Sequence, residues 1–596
     1  MKKIVLLTVF TFFTSIGNSI FSQTNLAYNW AWQFGYGNSD YGISIATDSA
    51  GYVFSLGDGG NDANYTNLAA MLISKTHPLG PFNIGSTSVA YYLPYNSQNN
   101  IVPIKLTVDH DGNVFVIGRF SGTIDFDPGT AVNNITSPPG ISYFLLKFDN
   151  NLNFIFVKTL MGGFGAGLTI DKFNNLIIGG YFNGTFDFDL NSGVFNLTGL
   201  GDTYIAKYDN DMNFIWAKKI GYSPGNEWVN SATVDSSNNI LVCGMVSGVY
   251  SSPGLDLDPG PGTCFVTNID PSNNSNYPAQ YTVKLDENGN FIWGNMILTK
   301  ASNMPQNSQI AVDILGNVFY TGLFRDSVDF DPGINVLKLN GPYNSLSGYN
   351  LGLYVSKLDA NGLFKWAKII GKGKSVVSET NSKFHATDIH LDLAGNVYIS
   401  STFTDTVDFN PGLGIYNIGS KWPNSALIKL DNDGNFIWAE KVFEQNQSIY
   451  SSASIESFAI NKNQEFSFIG NFQNTVDFNN SFGTNTMTPP STNLTHDMFV
   501  VKYGMNTTVG IDNNKTTNSI KIFPNPSNGL YELQLNDFES DNINLTINDV
   551  LGKTVFKTKI TNTNTKIDLS NHPNGIYFIE IEKVNHTKNF GKIIKQ

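Results

Sequence analysis

Charge is scarce in this sequence of 596 residues. Charged residues make up 14% of the chain, and the net charge is −13. The lysines and arginines form no basic stripe, which argues against nucleic acid as a partner because phosphate binding needs one. After the N-terminal segment, no apolar run approaches the roughly 20 residues that a membrane helix requires. The sequence therefore predicts no transmembrane segment in the mature chain.

The usual signatures of catalysis are also missing. The histidines show no metal-ligand spacing such as His-Glu-x-x-His, and no Gly-x-Ser-x-Gly elbow or phosphate loop occurs. A glycosidase needs two carboxylates across a cleft, and this chain has too many aspartates to nominate a pair. The sequence leaves enzymatic activity undecided, favours a protein that is not an enzyme, and nominates no catalytic residue and no organic cofactor.

The N-terminus has the pattern of a signal peptide. Lys2 and Lys3 precede an apolar run over residues 4–13, and Ser22 suits the position before a cleavage site. We expect residues 1–22 to direct export to the periplasm.

Cysteine is nearly absent, with Cys243 and Cys264 as the only two. An exported chain can form disulfides. The two residues are therefore either bonded to each other or two unpaired buried thiols.

What the sequence does contain is a repeated unit, clearest at residues 309–371. Short runs of alternating apolar and polar residues are separated by Asp/Asn/Gly turns, which predicts four antiparallel strands. The residue that ends the first strand recurs as Asp48, Asp109, Asp171, Asp235, Asp313, Asp392 and Asn461. An aromatic residue recurs in the fourth strand as Phe156, Trp216, Trp293, Trp366 and Trp438, which we interpret as core packing.

Seven units of this size predict an all-β fold, a seven-bladed β-propeller with four-stranded blades. The seventh unit ends after its third strand, whereas Trp30 and its neighbours align with a fourth strand. The N-terminal strand is therefore expected to complete the last blade and close the ring. The Asp-x-x-Gly-Asn turn resembles the β-propeller repeats of other secreted Bacteroidota proteins.

A second motif, Asp-Phe-Asp-Pro-Gly or a close variant, follows the second strand of six units. Side chains two apart on a strand point the same way, so each Asp pair could hold Ca²⁺. The alternative, which we favour, is that the aspartates cap the turn forced by Pro-Gly. The candidate calcium residues are Asp125, Asp127, Asp187, Asp189, Asp256, Asp258, Asp329 and Asp331, and the variants in the last two units are Asp408/Asn410 and Asp477/Asn479.

The loops differ between the two ends of the blades. Turns between strands one and two and between strands three and four are short, whereas the connections between strands two and three are long and varied. Function usually lies on variable loops of a rigid scaffold, so we expect ligand contacts on the long-loop face. The Asp-Phe-Asp-Pro-Gly motif is the most repeated candidate expected on that face. The candidate sugar-contact residues are Tyr250, Tyr281, Tyr343 and Tyr349.

The last 77 residues carry four spaced motifs, which start at Ile520, Ile547, Leu569 and Lys592. Their short alternating apolar runs predict a small Ig-like β-sandwich. In this order they resemble the type A C-terminal sorting domain of the type IX secretion system of Bacteroidota. The resemblance implies that the type IX machinery reads residues 520–596 and delivers the protein to the medium or the outer-membrane surface.

The sequence thus predicts four segments: a signal peptide (1–22), a propeller (24–505), a polar linker (506–518) and a sorting domain (519–596). The leading interpretation is a secreted or surface-attached protein that binds glycan or protein through the long-loop face. The alternative is an extracellular carbohydrate-active lyase or hydrolase on the same scaffold. A third possibility is a structural surface protein with no small ligand.

Overall fold

The computed structural model of the protein consists of β-strands, and the residues that it describes contain no helix. It describes residues 26–34, 40–59, 69–80, 89–94, 100–127, 129, 131–138, 142–160, 163–221, 226–247, 254–267, 269–270, 275–276, 278–299, 308–333, 335–341, 351–371, 386–445, 453–478, 485–489, 496–505, 520–535, 543–549, 553–582 and 588–596. No helix in these ranges is long and apolar enough to cross a membrane. The predicted signal peptide and linker lie outside them.

The chain divides into two compact units, one of residues 25–506 and one that contains residues 507–596. In the first unit the described residues form seven four-stranded antiparallel sheets. These are the blades of a β-propeller, as the sequence predicted.

The strands of the first three blades, with the short hairpin in blade 2 and the N-terminal strand, are β1 (Leu26–Phe34), β2 (Asp40–Thr47), β3 (Val53–Gly59), β4 (Ala69–Thr76), β5 (Val89–Pro94), β6 (Asn100–Val108), β7 (Val114–Ser121), β8 (Thr123–Asp125), β9 (Asn134–Thr136), β10 (Ser142–Phe148), β11 (Phe154–Leu160), β12 (Gly163–Ile170), β13 (Leu176–Asp187), β14 (Asn196–Tyr208) and β15 (Phe214–Ile220). Blade 1 is β2 to β5, blade 2 is β6, β7, β10 and β11, and blade 3 is β12 to β15.

Blades 4 and 5 with their hairpins are built from β16 (Asn226–Val234), β17 (Ile240–Ser247), β18 (Leu255–Asp256), β19 (Phe265–Val266), β20 (Ile269–Asp270), β21 (Ser275–Asn276), β22 (Ala279–Leu285), β23 (Phe291–Ile297), β24 (Gln309–Val312), β25 (Val318–Arg325), β26 (Ser327–Asp329), β27 (Lys338–Asn340), β28 (Leu351–Leu358) and β29 (Phe364–Ile370). Blade 4 is β16, β17, β22 and β23, and blade 5 is β24, β25, β28 and β29.

Blades 6 and 7 are built from β30 (Ala386–Leu391), β31 (Val397–Asp408), β32 (Asn417–Leu430), β33 (Phe436–Lys441), β34 (Glu444–Gln445), β35 (Ala453–Ile460), β36 (Phe466–Phe472), β37 (Val476–Asp477), β38 (Thr486–Met487) and β39 (Asp497–Met505). Blade 6 is β30 to β33, and blade 7 is β35, β36, β39 and β1. The N-terminal β1 pairs antiparallel with β39, from Leu26 opposite Met505 to Phe34 opposite Met498. The predicted closure of the last blade is confirmed, because β1 pairs the edge of β39 that would otherwise be open.

The hydrophobic core lies between successive blades. Phe115 and Ile117 of blade 2 pack in one cluster with Leu176 and Ile178 of blade 3, and the other blade interfaces are built the same way. Each blade is therefore stabilised mainly by its neighbours, as expected for a repeat that cannot bury its apolar faces alone.

Six of the blades also hold the next one through a lysine in the third strand, and blade 6 is the exception. The Nζ atom of Lys147 donates to the backbone oxygen of Asn210 at 2.7 Å, in the turn between strands three and four of blade 3. In blade 3, Trp216 Nε1 donates to Glu287 O of blade 4 at 3.2 Å, and Lys207 reaches the same oxygen. These contacts lie on one end of the ring, which we call the turn face, formed by the one–two and three–four turns.

The second unit is a β-sandwich. Its strands are β40 (Ile520–Phe523), β41 (Leu530–Leu535), β42 (Ile543–Asn548), β43 (Thr554–Ile560), β44 (Asn564–Asp568), β45 (Gly575–Glu582) and β46 (Lys588–Lys595). They form a three-stranded sheet in the order β40-β41-β44 and a four-stranded sheet in the order β43-β42-β45-β46. Leu533 and Ile567 of the first sheet share a buried core with Leu545 and Ile579 of the second.

Candidate functional site

The Asp-Phe-Asp-Pro-Gly motif stands at the tip of a hairpin, which we call a ribbon. Three ribbons are separate strand pairs, β8/β9, β18/β19 and β26/β27, and a fourth, β37/β38, is joined by β34 in a three-stranded sheet. The other two are extensions of β13/β14 and β31/β32. A left-handed residue commonly stands three positions before the first Asp, with φ of 57° at Asp326, 63° at Asp405 and 69° at Asn474. Asn and Asp tolerate this conformation better than most residues. The kink turns the ribbon away from the direction of strand two.

The ribbon of blade 7 runs beside the outer strand β1. At its base, Gln33 Nε2 donates to Thr488 O at 3.1 Å. At its tip, Asn485 forms a hydrogen bond with Tyr28, at the other end of the same strand. In blade 3 the tip likewise reaches the three–four turn, where Asn191 donates to Met212 O at 2.9 Å. The expectation that this motif decorates the long-loop face is therefore wrong, because the ribbons fold back toward the turn face.

The middle residue of the motif fills the space between two blades. Blades diverge with distance from the axis of a propeller, so the outer part of each interface needs additional apolar volume. The residues that supply it are 0–2% exposed: Phe126, Phe188, Leu257, Phe330, Phe409 and Phe478. Each belongs to a core cluster that combines its own blade with the preceding one.

The motif aspartates cap the ribbon turn. Asp329 Oδ1 accepts the N–H groups of Asp331 at 3.2 Å and Leu337 at 2.8 Å, and Asp331 Oδ1 accepts that of Gly333 at 2.8 Å. The same bonds recur at Asp125/Asp127, Asp187/Asp189 and Asp256/Asp258. These bonds support the capping interpretation over the calcium interpretation. The described part of the chain contains no cluster of three or more His, Cys, Asp or Glu residues suited to a metal ion.

The tyrosine candidates do not form a site. Tyr281 lies within strand β22 and is 0% exposed, with its hydroxyl 3.0 Å from that of Thr203, so the prediction that it contacts a sugar is wrong. In sequence Tyr281 stands beside the long connection between strands two and three of blade 4, and the structure places it on the third strand. Tyr250, Tyr343 and Tyr349 lie outside the described residues. The two cysteines are free thiols, Cys243 buried and Cys264 half-buried.

The seven blades differ in charge and exposure at one position of the second strand. In each blade a glycine, or Ser401 in blade 6, lies opposite a large or apolar residue of strand three. In blade 2 this is Gly118 opposite Phe144, where a Cβ atom would collide with the ring. The residue that follows this glycine or serine in sequence differs between the blades. From blade 1 to blade 7 it is Asp58, Arg119, Tyr181, Met245, Leu323, Thr402 and Asn471. It is buried in blades 4 to 7 and at least partly exposed in blades 1 to 3.

The exposed members lie with two further tyrosines at the end of the blades opposite the turn face. Tyr41 is the cross-strand partner of Asp58 in blade 1, and Tyr143 is that of Arg119 in blade 2. Directly opposed side chains lie about 5 Å apart on the same side of a sheet. The hydroxyl of Tyr143 is hydrogen-bonded to that of Tyr181 in blade 3. We call these five residues the blade 1–3 group.

Burial and charge shape the chemistry of this group. Burial raises the pKa of Asp58 to about 7, and the guanidinium of Arg119 opposes that rise. Burial also raises the pKa of Tyr143 to about 12, so this phenol stays protonated at neutral pH. Arg119 is exposed and is one of only two arginines in the chain, with Arg325. The group therefore offers one cation, one carboxyl that titrates near neutrality and three aromatic faces.

Sequence reasoning missed this group. Each member stands on a strand rather than in a loop, and no motif of known spacing marks it. A signal was present, because alignment of the seven copies shows a charged residue after the strand-two glycine in blades 1 and 2 alone.

Residues 521–596 match the family model described as the secretion system C-terminal sorting domain. The sorting domain predicted from the sequence is confirmed, and the protein is a propeller exported by the type IX system. The match covers the second compact unit and states nothing about the propeller's ligand.

Other comparisons are distant. An uncharacterised WD repeat-containing protein of Acanthamoeba polyphaga mimivirus is 25% identical over 240 residues, which is 38% of this chain and 16% of that protein. The chain thus spans about a sixth of the length of that curated relative. Among solved structures, PorZ of Porphyromonas gingivalis, a surface component of the type IX secretion system, is 12% identical, with 93% of this chain and 81% of PorZ covered and a TM-score of 0.19.

An ulvan lyase is 11% identical, with 77% of this chain and 98% of the lyase covered and a TM-score of 0.33. The calcium-binding protein regucalcin of Agrobacterium tumefaciens is 9% identical, with 79% and 95% covered and a TM-score of 0.27. These scores assign no activity, and the fold assignment depends on the sheet topology itself.

Proposed function

We propose that this protein is a secreted glycan-binding protein whose blade 1–3 group contacts an acidic polysaccharide. The observation that carries the proposal is the exposed Arg119 among Tyr41, Tyr143 and Tyr181, at a position that is buried in blades 4 to 7. A planar guanidinium pairs with carboxylate or sulfate groups. Tyrosine faces provide rigid amphipathic contact area for a sugar ring.

The charge balance of the chain supports an acidic ligand. The protein has a net charge of −13, so a polyanion is repelled by most of its surface and bound only where a cation is exposed. Arg119 supplies one such cation, and the raised pKa of Asp58 reduces the opposing charge beside it near neutral pH.

Binding is tested with the purified full-length chain on an array of neutral, uronate-containing and sulfated glycans. We expect binding to acidic glycans, and Arg119→Gln should weaken it about tenfold, as expected for the loss of a charge-assisted contact. The control is Lys172→Gln, which removes an exposed cation from the turn face of blade 3. Equal binding by wild type and Arg119→Gln, or a preference for neutral glycans, would contradict the proposal.

A carbohydrate-active enzyme is the second candidate. The specific observation in its favour is Asp58, whose pKa of about 7 suits a general acid or base. Against it, the blade 1–3 group holds a single carboxyl, whereas hydrolysis generally uses two, and Tyr143 is held protonated. A polysaccharide-degradation screen decides between the two functions. Loss of polymer length that stops in Asp58→Asn would establish the enzyme.

A further inference from the structure

The first strands of the seven blades contact one another and form the inner wall of the ring. The first strands of neighbouring blades are joined by hydrogen bonds. Between blades 1 and 2, for example, Leu106 N donates to Ser44 Oγ at 3.3 Å. The position four residues before the acid of the one–two turn is therefore equivalent in every blade. Around the ring it is Ser44, Lys105, Gly167, Ser231, Gln309, Asp388 and Ser457.

The position two residues further along the same strands is almost uniformly small. Around the ring it is Ala46, Thr107, Thr169, Thr233, Ala311, His390 and Ala459. Small side chains leave space at the axis of the ring. At these two positions, charge is found at Lys105 of blade 2 and at Asp388, with the imidazole of His390, in blade 6.

The carboxylate of Asp388 is well partnered. Its Oδ2 atom accepts the hydroxyl of Ser457 at 2.9 Å and lies 3.5 Å from both Phe458 N and His390 Nε2. Burial opposes its charge, but His390 and these bonds lower the pKa of Asp388 overall. This anion is therefore held by blades 6 and 7 themselves.

The ammonium of Lys105 has no such partner. Among the described residues, none places an acceptor within hydrogen-bonding distance of its Nζ atom. Burial lowers the pKa of Lys105, and the attraction of Asp388 across the ring offsets this only in part. The third-strand lysines of six blades, such as Lys147, instead donate to backbone oxygens of the next blade. A cation in a confined space without a bonded acceptor is costly unless something fills the acceptor role.

We propose that the channel of the propeller binds a small anion, a carboxylate, sulfate or phosphate group, on Lys105. Gly167 stands at the equivalent position of the next blade, so no polar side chain there pairs with the lysine. The hydroxyls of Thr107, Thr169 and Thr233 line the same stretch of the wall and can donate to anion oxygens. This site shares no residue with the blade 1–3 group, which lies at the end of the blades opposite the turn face.

The test is a titration of the purified full-length chain with sodium sulfate in place of sodium chloride at constant ionic strength. We expect sulfate to raise the melting temperature of the wild type and to slow labelling of Lys105 by an amine-reactive reagent, followed by mass spectrometry of the labelled peptide. Phosphate and acetate are run in parallel to distinguish the three anion classes.

The matched variants are Lys105→Ser and Lys462→Ser. Serine is the residue at the equivalent position of blades 1, 4 and 7, so Lys105→Ser is expected to fold with stability no lower than the wild type. It should lose the sulfate response, whereas Lys462→Ser, an exposed turn-face variant, should retain it. A sulfate response unchanged in Lys105→Ser, Lys105 labelling unaffected by sulfate, or a Lys105→Ser protein that is markedly destabilised would each overturn the proposal. The last result would show that Lys105 is a structural contact.

Discussion

The indole Nε1 of Trp30 donates to the backbone oxygen of Pro78 at 3.2 Å. Trp30 belongs to the N-terminal strand that completes blade 7, and Pro78 lies in the three–four turn of blade 1. The bond repeats the one from Trp216 to Glu287 between blades 3 and 4. Blade 7, the last in the chain, is therefore joined to blade 1 by the same kind of contact that joins blades 3 and 4.

Loss of the Trp30 side chain should destabilise the ring. Trp30 is 7% exposed and packs with Phe34, Val53 and Met498 between blades 7 and 1. We expect Trp30→Ala to lower the free energy of unfolding by about 3–5 kcal/mol, the usual range for a buried large aromatic residue. Urea denaturation followed by tryptophan fluorescence and circular dichroism measures it.

The control for that variant is Trp32→Ala on the same strand, because Trp32 is only half-buried. It should lose clearly less stability than Trp30→Ala. Deletion of residues 24–36 should exceed either substitution, since it exposes the edge of β39. An unchanged melting temperature after the deletion would contradict a closed ring.

The ribbon motif should be structural rather than calcium-dependent. Phe330 is 0% exposed between blades 4 and 5, so Phe330→Ala should cost about 3–5 kcal/mol. Asp329→Ala removes a cap for two N–H groups and should cost about 1 kcal/mol, in the range of other capping residues. Thermal denaturation with and without a chelator should give the same melting temperature for the wild type. A large drop on chelation that calcium reverses would instead support the calcium interpretation.

Stability should depend on pH through Glu440. Burial raises the pKa of this carboxyl from 4.5 to about 7, against the lowering effect of its bond from Leu26 N. A raised carboxyl pKa means that the folded state binds the proton more tightly, so its contribution is full below pH 4.5 and is lost as the pH rises through about 7.

Glu440→Gln keeps an acceptor for Leu26 N and removes the titration. At pH 8 the variant should be more stable than the wild type, by about 3 kcal/mol at most at 1.36 kcal/mol per pKa unit. At pH 4 the two proteins should be equally stable, which serves as the internal control. Denaturant midpoints at both values measure the difference, and a wild type that is the more stable protein at pH 8 would show the sign to be wrong.

Export should depend on the C-terminal sandwich. Removal of residues 520–596 deletes the matched sorting domain and leaves the propeller unit, so we expect a folded protein retained in the periplasm. Immunoblots of periplasm, cell surface and medium measure its location, and circular dichroism of the retained protein checks folding. Fusion of the same residues to a periplasmic reporter should move it to the surface or medium. Normal delivery of the truncated chain would contradict the assignment.

The repeat pattern was enough to predict the blades, because each blade requires only local alternation of apolar residues and Asp/Asn/Gly turns. Asp109 shows why the turn signal is dependable. Its Oδ1 accepts the N–H groups of Asp111 and Asn113, at 3.0 and 2.8 Å, so the residue builds its own turn. Closure was likewise readable, since Trp30 aligns with Trp216 in sequence.

The positions of the ribbons and of the functional candidates were not readable in this way. Phe126 looks like a loop residue in sequence, yet it is buried because blades diverge and leave a gap that only the assembled ring defines. Tyr281 looks like a loop tyrosine and is a core residue for a similar reason.

The sequence by itself determined the all-β class, the repeat, the closure and the sorting domain, since each is encoded by residues close together in the chain or by recurrence at a regular spacing. Tertiary structure alone decided that Arg119, Tyr143 and Tyr181 meet, and that Lys105 faces Asp388 across the ring. Tyr143 and Tyr181 belong to neighbouring blades, and Lys105 and Asp388 to blades 2 and 6, so the distances between them depend on the circular arrangement of the blades. The tertiary structure also explains why Trp438 Nε1 has no hydrogen-bond partner among the described residues. In other blades the equivalent indole donates to a carbonyl in the three–four turn of the next blade. Blade 7 is assembled from both chain ends, so it has no such turn to offer Trp438 a carbonyl.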